Sequence, residues 1–112
     1  MNMTSRRLGR YTVVSVNEQR IDAAIAIHFK DRMRDIVSNV RSTVVLDLSQ
    51  VQFLDSTGLG ALVATMKLMP DGLPLELAGL NPAVSKVMSL TQMDSVFTIH
   101  PTLDAALADQ AM

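Results

Sequence analysis

Residues 43–49 carry Val44, Val45, Leu46 and Leu48 in an almost continuous apolar run. A run so short and so rich in β-branched residues reads as a strand. Its lack of alternation constrains the fold most. A strand with one wet face alternates apolar and polar residues, whereas a strand covered on both faces is apolar throughout. The rest of the chain must therefore supply covering elements, and its hydrophobic periods do so.

Residues 11–16 form an earlier strand, followed by a polar turn at Asn17–Gln19. From about Asp22 the period changes: Ile25, Phe29, Met33, Ile36 and Val40 make one helical stripe, with Lys30, Asp31, Arg32, Arg34 and Asp35 on the other face. A second helix is expected from Ser56 to Met69, closed by Pro70, Asp71 and Gly72. A third strand follows at 75–80. Asn81 and Pro82 then suit the N-cap and first turn of a helix bearing Val84, Val87 and Met88. A fourth strand is expected at 96–100, and Thr102 opens a last helix with Leu103, Ala106 and Leu107. Strands that alternate with helices pair in parallel, so the expected architecture is α/β, one sheet with helices packed on it. The 112 residues fit one domain, 1–112, without internal repeats.

Composition narrows the chemistry. With 48% apolar residues the chain can build a core, and with no cysteine it has no disulfides, thiolate ligands or thiol nucleophile. A net charge of −1 offers no general attraction to nucleic acid or anionic membranes. Eight of the ten basic residues nevertheless lie at or before Arg41, with Arg6, Arg7 and Arg10 near the start, which reads as a solvated basic arm over residues 1–10. No stretch has the make-up of a signal peptide or the length of a membrane span, so a soluble, cytoplasmic protein is expected.

Enzymatic sites are hard to assemble. His28 reads as an exposed helix residue and His100 as a strand-end residue; neither has metal-ligand spacing, so no metal or other cofactor is expected. Gly58 and Gly60 lack the lysine of a phosphate-binding loop. Ser56 is preceded at two positions by Leu54, where a nucleophile elbow has glycine, and no base stands near it in sequence. The chain is expected not to be an enzyme.

What remains is the passage from the central strand, ending Asp47-Leu48-Ser49, through Phe53-Leu54 to Asp55-Ser56-Thr57-Gly58-Leu59-Gly60. An Asp or Ser at a helix N-cap satisfies a free backbone N–H and contributes about 1 kcal/mol. Three oxygen-bearing residues in a row exceed that need. The helix they open is also uncharged up to Lys67. Leu59, Leu62, Val63 and Met66 make its core stripe, while Gly60, Ala61, Ala64 and Leu68 occupy the other side, where charge is usual. That side is either internal or a smooth docking surface for a partner, with Ala61 and Ala64 at its centre.

The Asp47-bearing apolar strand followed by Asp55-Ser56-Thr57-Gly58-Leu59-Gly60 resembles the signature of STAS domains, in particular the bacterial anti-sigma factor antagonists. The likeness continues through Asn81-Pro82-Ala83-Val84, Met93-Asp94-Ser95-Val96-Phe97 and Leu103-Asp104-Ala105-Ala106-Leu107. It implies a single STAS domain with a four- to five-stranded, mostly parallel mixed sheet, about four helices, and an extra N-terminal strand at about residues 5–9. It also implies that Ser56 accepts phosphate from an anti-sigma factor serine kinase and that a serine phosphatase removes it. Unphosphorylated protein would hold the kinase and free a sigma factor. Asp47, Asp55, Thr57, Gly58 and Gly60 belong to the same motif. A STAS subunit of an ABC-type lipid transporter, bound without phosphorylation, is the alternative. One departure stands out: Glu18-Gln19-Arg20-Ile21-Asp22 has no glycine in the turn before the first helix, where the family often has one.

Overall fold

The computed structural model describes residues 1–108. Seven strands and four helices follow one another as β1 (Met3–Leu8), β2 (Tyr11–Val16), β3 (Arg20–Ile21), α1 (Ala26–Val37), β4 (Val44–Asp47), β5 (Phe53–Leu54), α2 (Ser56–Leu68), β6 (Leu75–Ala78), α3 (Pro82–Leu90), β7 (Ile99–His100) and α4 (Leu103–Ala106) among the described residues. Five strands form one sheet in the order β1-β2-β4-β6-β7. β1 runs antiparallel to β2, and every other neighbouring pair is parallel. β3 and β5 make a separate parallel pair beside it.

The apolar run of β4 is central and buried on both faces, as its lack of alternation requires. Val44 and Leu46 enter the main core with Phe29, Met33, Leu62, Leu77 and Met88. Val45 points the other way, into a smaller cluster with Tyr11, Ala78 and Ala106. α4 closes that second face, packing on β4, β6 and β7. The predicted caps are present: Asn81 Oδ1 accepts from Val84 N, and Thr102 Oγ1 accepts from Ala105 N at 3.0 Å.

Four elements differ from expectation. Residues 1–10 are more than a basic arm: the N-terminal strand that the resemblance implies is present at Met3–Leu8 rather than 5–9, paired along its whole length with β2, with Met3 buried and residues 4–7 exposed. α1 begins at Ala26 rather than near Asp22, because Asp22 turns the chain first; its Oδ1 accepts from Ala24 N at 3.0 Å and its carbonyl from Ile25 N and Ala26 N. The third strand stops at Ala78, where Gly79 takes a φ of +74° and turns the chain away. The last strand shrinks to Ile99–His100, since a 3-10 turn at Met93–Ser95 carries Phe97 into the core first.

Candidate functional site

β4 ends at Asp47, and the chain crosses to β5 before α2 starts at Ser56. Asp47 Oδ1 accepts from Ser49 N at 3.0 Å. Gly79 comes close by at the end of β6, where a Cβ would stand 3.3 Å from the same oxygen. Asp47 thus shapes the turn that leaves the sheet.

Asp55 is the N-cap of α2, extended at φ −96° and ψ −176°. Its two carboxylate oxygens do different things. Oδ1 accepts from Gly58 N at 2.8 Å, which is the cap itself. Oδ2 accepts from Ala23 N at 3.3 Å, which fastens the helix start to the loop between β3 and α1. The β3–β5 pair continues the attachment, with Arg20 opposite Phe53 and Ile21 opposite Leu54. Gln52 N and Phe53 N both donate to the Gln19 carbonyl, at 2.7 and 3.2 Å.

Gly58 is where α2 meets that loop. It is buried, and a Cβ there would lie 2.0 Å from the Ile21 carbonyl oxygen, far inside contact distance. Gly60 has the opposite setting, exposed with nothing within 4 Å of a Cβ. The two glycines of the motif therefore do different work: one permits a close approach, and the other leaves the surface smooth.

Ser56 and Thr57 are both exposed in the first helical turn. Because Asp55 supplies the cap, neither hydroxyl is needed for it. The helix side bearing small residues splits. Ala61 is 2% exposed and belongs to the main core, beside buried Thr65, whose Oγ1 donates to the Ala61 carbonyl at 2.9 Å. Ala64 is half-buried, and Lys67 and Leu68 are exposed. Of the two uses open to this side, the internal one holds for Ala61. Its side chain is not on a docking surface, because it is buried in the main core on a helix that packs against α1.

Two neighbours escaped the sequence reading as site residues. Phe53 is 45% exposed on β5, and the Arg20 guanidinium carbon sits 5.3 Å from its ring centroid. Arg20 Nη1 also lies 3.8 Å from Asp22 Oδ2. The signal was the aromatic in an otherwise polar connection, two residues before the N-cap. The stretch 18–22 needs no glycine, since all of its residues keep negative φ and Arg20–Ile21 is simply extended.

His28 is exposed on α1. His100 is a strand-end residue, its Nε2 2.8 Å from Glu76 Oε1 on the adjacent strand. Among the described residues, no three His, Cys, Asp or Glu side chains group as a metal site, and no helix is long and apolar enough to cross a membrane.

A parallel sheet with one antiparallel edge, and a capped helix that opens on an exposed serine after the central strand, define the class. Residues 2–106 match the STAS domain family, and the chain belongs to it. Within that family it is similar to the anti-sigma factor antagonists. It is 28% identical over 87 residues to the anti-sigma-F factor antagonist RsfB of Mycobacterium tuberculosis, covering 78% of this chain and 71% of the relative. A crystal structure of an anti-sigma factor antagonist from Mycobacterium paratuberculosis superposes with a TM-score of 0.87 at 30% identity, covering 96% of this chain and 92% of that one. The phosphorylated form of the Bacillus cell fate determinant SpoIIAA shares the fold, with a TM-score of 0.70 at 14% identity over 99% of this chain and 100% of that one.

Proposed function

We propose that this protein is an anti-sigma factor antagonist and that phosphorylation of Ser56 switches its hold on an anti-sigma factor serine kinase. The observation that carries the reading is the division of labour at the start of α2. Asp55 caps the helix and ties it to the loop at Ala23, while the neighbouring Ser56 stays exposed and spare. A serine that served as the cap would resist modification. This one does not serve as the cap.

The electrostatics favour a switch over an unfolding event. Phosphoserine brings about −1.5 to −2 charges. At the first turn of a 13-residue helix it meets amides without intrahelical partners and the positive end of the dipole. The free domain tolerates it. Covered by a partner that offers no cation, the same group loses its hydration, and about 3 kcal/mol of lost affinity weakens binding more than a hundredfold. Unphosphorylated protein holds the kinase and so releases a sigma factor; phosphorylated protein lets go; a serine phosphatase resets it. Exposed Phe53, with Arg20 beside it, supplies an apolar contact next to the serine.

The test is incubation with the cognate anti-sigma factor kinase and ATP. One phosphate on Ser56 is expected, and none on Ser56→Ala, whose stability should change by no more than about 0.5 kcal/mol because the cap is Asp55. Stoichiometric phosphate on Thr57 alone would overturn the assignment. So would a kinase that binds phosphorylated and unphosphorylated protein equally well.

A further inference from the structure

β1 closes one side of the main sheet, and among the described residues no strand pairs with its outer edge. It is six residues long, and Thr4, Ser5, Arg6 and Arg7 are all exposed. An edge of this length leaves N–H and C=O groups able to pair with another chain, apart from the Met3 carbonyl, which accepts from Arg32 Nη2 at 3.2 Å. Its side chains alternate between the two faces of the sheet. Arg7, opposite Thr12, stands on the α1 side, above a groove that holds Ile36, Asn39 and a single carboxylate, Asp35. Arg6, opposite Val13, alternates toward the other face, though it also borders this groove.

Arg10 and Arg41 extend this positive end. The first sits in the turn between β1 and β2, and the second precedes Ser42, whose Oγ donates to the Arg10 carbonyl. Among the described residues, none of Arg6, Arg7, Arg10 and Arg41 has a carboxylate within 4.0 Å, whereas Arg20 and Arg34 do. All four lie toward the N-terminal ends of the parallel strands. Ser56 follows their C-terminal ends, so this edge is separate from the surface around the serine.

We propose that β1 is a strand-addition site for an extended acidic segment of a partner protein, whose successive carboxylates meet Arg6 on one face and Arg7 on the other. The alternation selects this occupant. Successive residues of an added strand point to opposite faces, matching two arginines at adjacent positions. A nucleic-acid duplex or an anionic membrane could meet the arginines but has no peptide backbone to pair with the outward groups of the strand. A second copy of this chain would lay the same arginines beside each other, and like charges on adjoining strands repel.

The experiment uses a fluorescein-labelled synthetic peptide of valines and paired glutamates, with fluorescence anisotropy as the readout. Binding to the full chain is expected, and it should weaken as salt is added. The double variant Arg6→Glu with Arg7→Glu should bind about tenfold or more weakly, since an exposed ion pair is worth up to about fivefold in affinity and reversal turns two attractions into repulsions. A peptide of the same sequence N-methylated at alternate residues should also lose binding, because it cannot pair with the edge. If the double Glu variant does not melt cooperatively, Arg6→Gln with Arg7→Gln replaces it and must show a reduced salt dependence. The proposal is overturned if the peptide does not bind, if the N-methylated peptide binds as tightly, or if the folded variant keeps full affinity. It is equally overturned if duplex DNA or phosphatidylglycerol vesicles bind where the peptide does not.

Discussion

Gly58 and Gly60 lie two positions apart on α2, and alanine is expected to change stability in opposite directions at the two. In a helix interior alanine is more favourable than glycine by about 1 kcal/mol. At Gly60 nothing stands within 4 Å of the new methyl, so most of that gain should appear. At Gly58 the methyl would lie 2.8 Å from Leu54 Cδ1 and 2.0 Å from the Ile21 carbonyl oxygen. The leucine can change rotamer. The carbonyl is backbone, held by the pairing of Ile21 with Leu54 and by the Asp55 contact to Ala23. Overpacking of this kind costs about 1–3 kcal/mol, and a backbone atom only 2.0 Å away puts this site at the upper end, so that after the propensity gain Gly58→Ala is left destabilised by about 1–2 kcal/mol. Urea unfolding followed by circular dichroism measures both variants, with equal slopes confirming that the comparison is of stability alone. Because the displaced loop is the one that anchors Asp55, Gly58→Ala should also lower partner affinity. If Gly58→Ala gains as much stability as Gly60→Ala, the close approach of α2 to β3 is not a feature of the protein in solution, and the account of the site's anchoring fails with it.

Ser56→Asp is expected to weaken kinase binding in calorimetry while leaving the melting temperature essentially unchanged, since an anion at a helix N-terminus is favourable by about 0.3–1 kcal/mol; partial release is expected because aspartate carries less charge than phosphoserine. Unaltered affinity in both Ser56→Asp and phosphorylated protein would leave a constitutive binding module. Asp55→Ala should lose the cap and the Ala23 contact together, a destabilisation of about 1–2 kcal/mol, with faster amide exchange at Ala23 and Gly58 as the local signature. Ala61→Glu should unfold the domain or lower its stability by about 3 kcal/mol or more, because that side chain is 2% exposed. Ala64→Glu, at a half-buried position, should be tolerated far better; equal losses in thermal melts would refute the division of this helix side.

Local residue patterns were sufficient to mark most of the elements. The unalternating run of β4, the stripe of Phe29 and Met33 on α1, and the caps at Asn81 and Thr102 depend on neighbours within a few residues, and each is found where those neighbours place it. The motif from Asp47 to Gly60 was legible as a unit for the same reason: its strand end, N-cap and helix start are consecutive in the chain. Tertiary contacts decided the rest. The polar residues 4–7 look like a solvated arm by composition; the strand there was implied only by the family resemblance, and the pairing of β1 with β2 and the burial of Met3 fix its extent as an edge strand. The small residues of α2 were compatible with either an interior or a surface until the packing of the core placed Ala61 inside. The reason that Gly58 must be glycine lies at Ile21, and the second use of the Asp55 carboxylate lies at Ala23, 32 positions away. A hydrogen bond or a steric limit between residues so far apart leaves no period or spacing along the chain, so it exists only once the sheet and helices have brought the partners together.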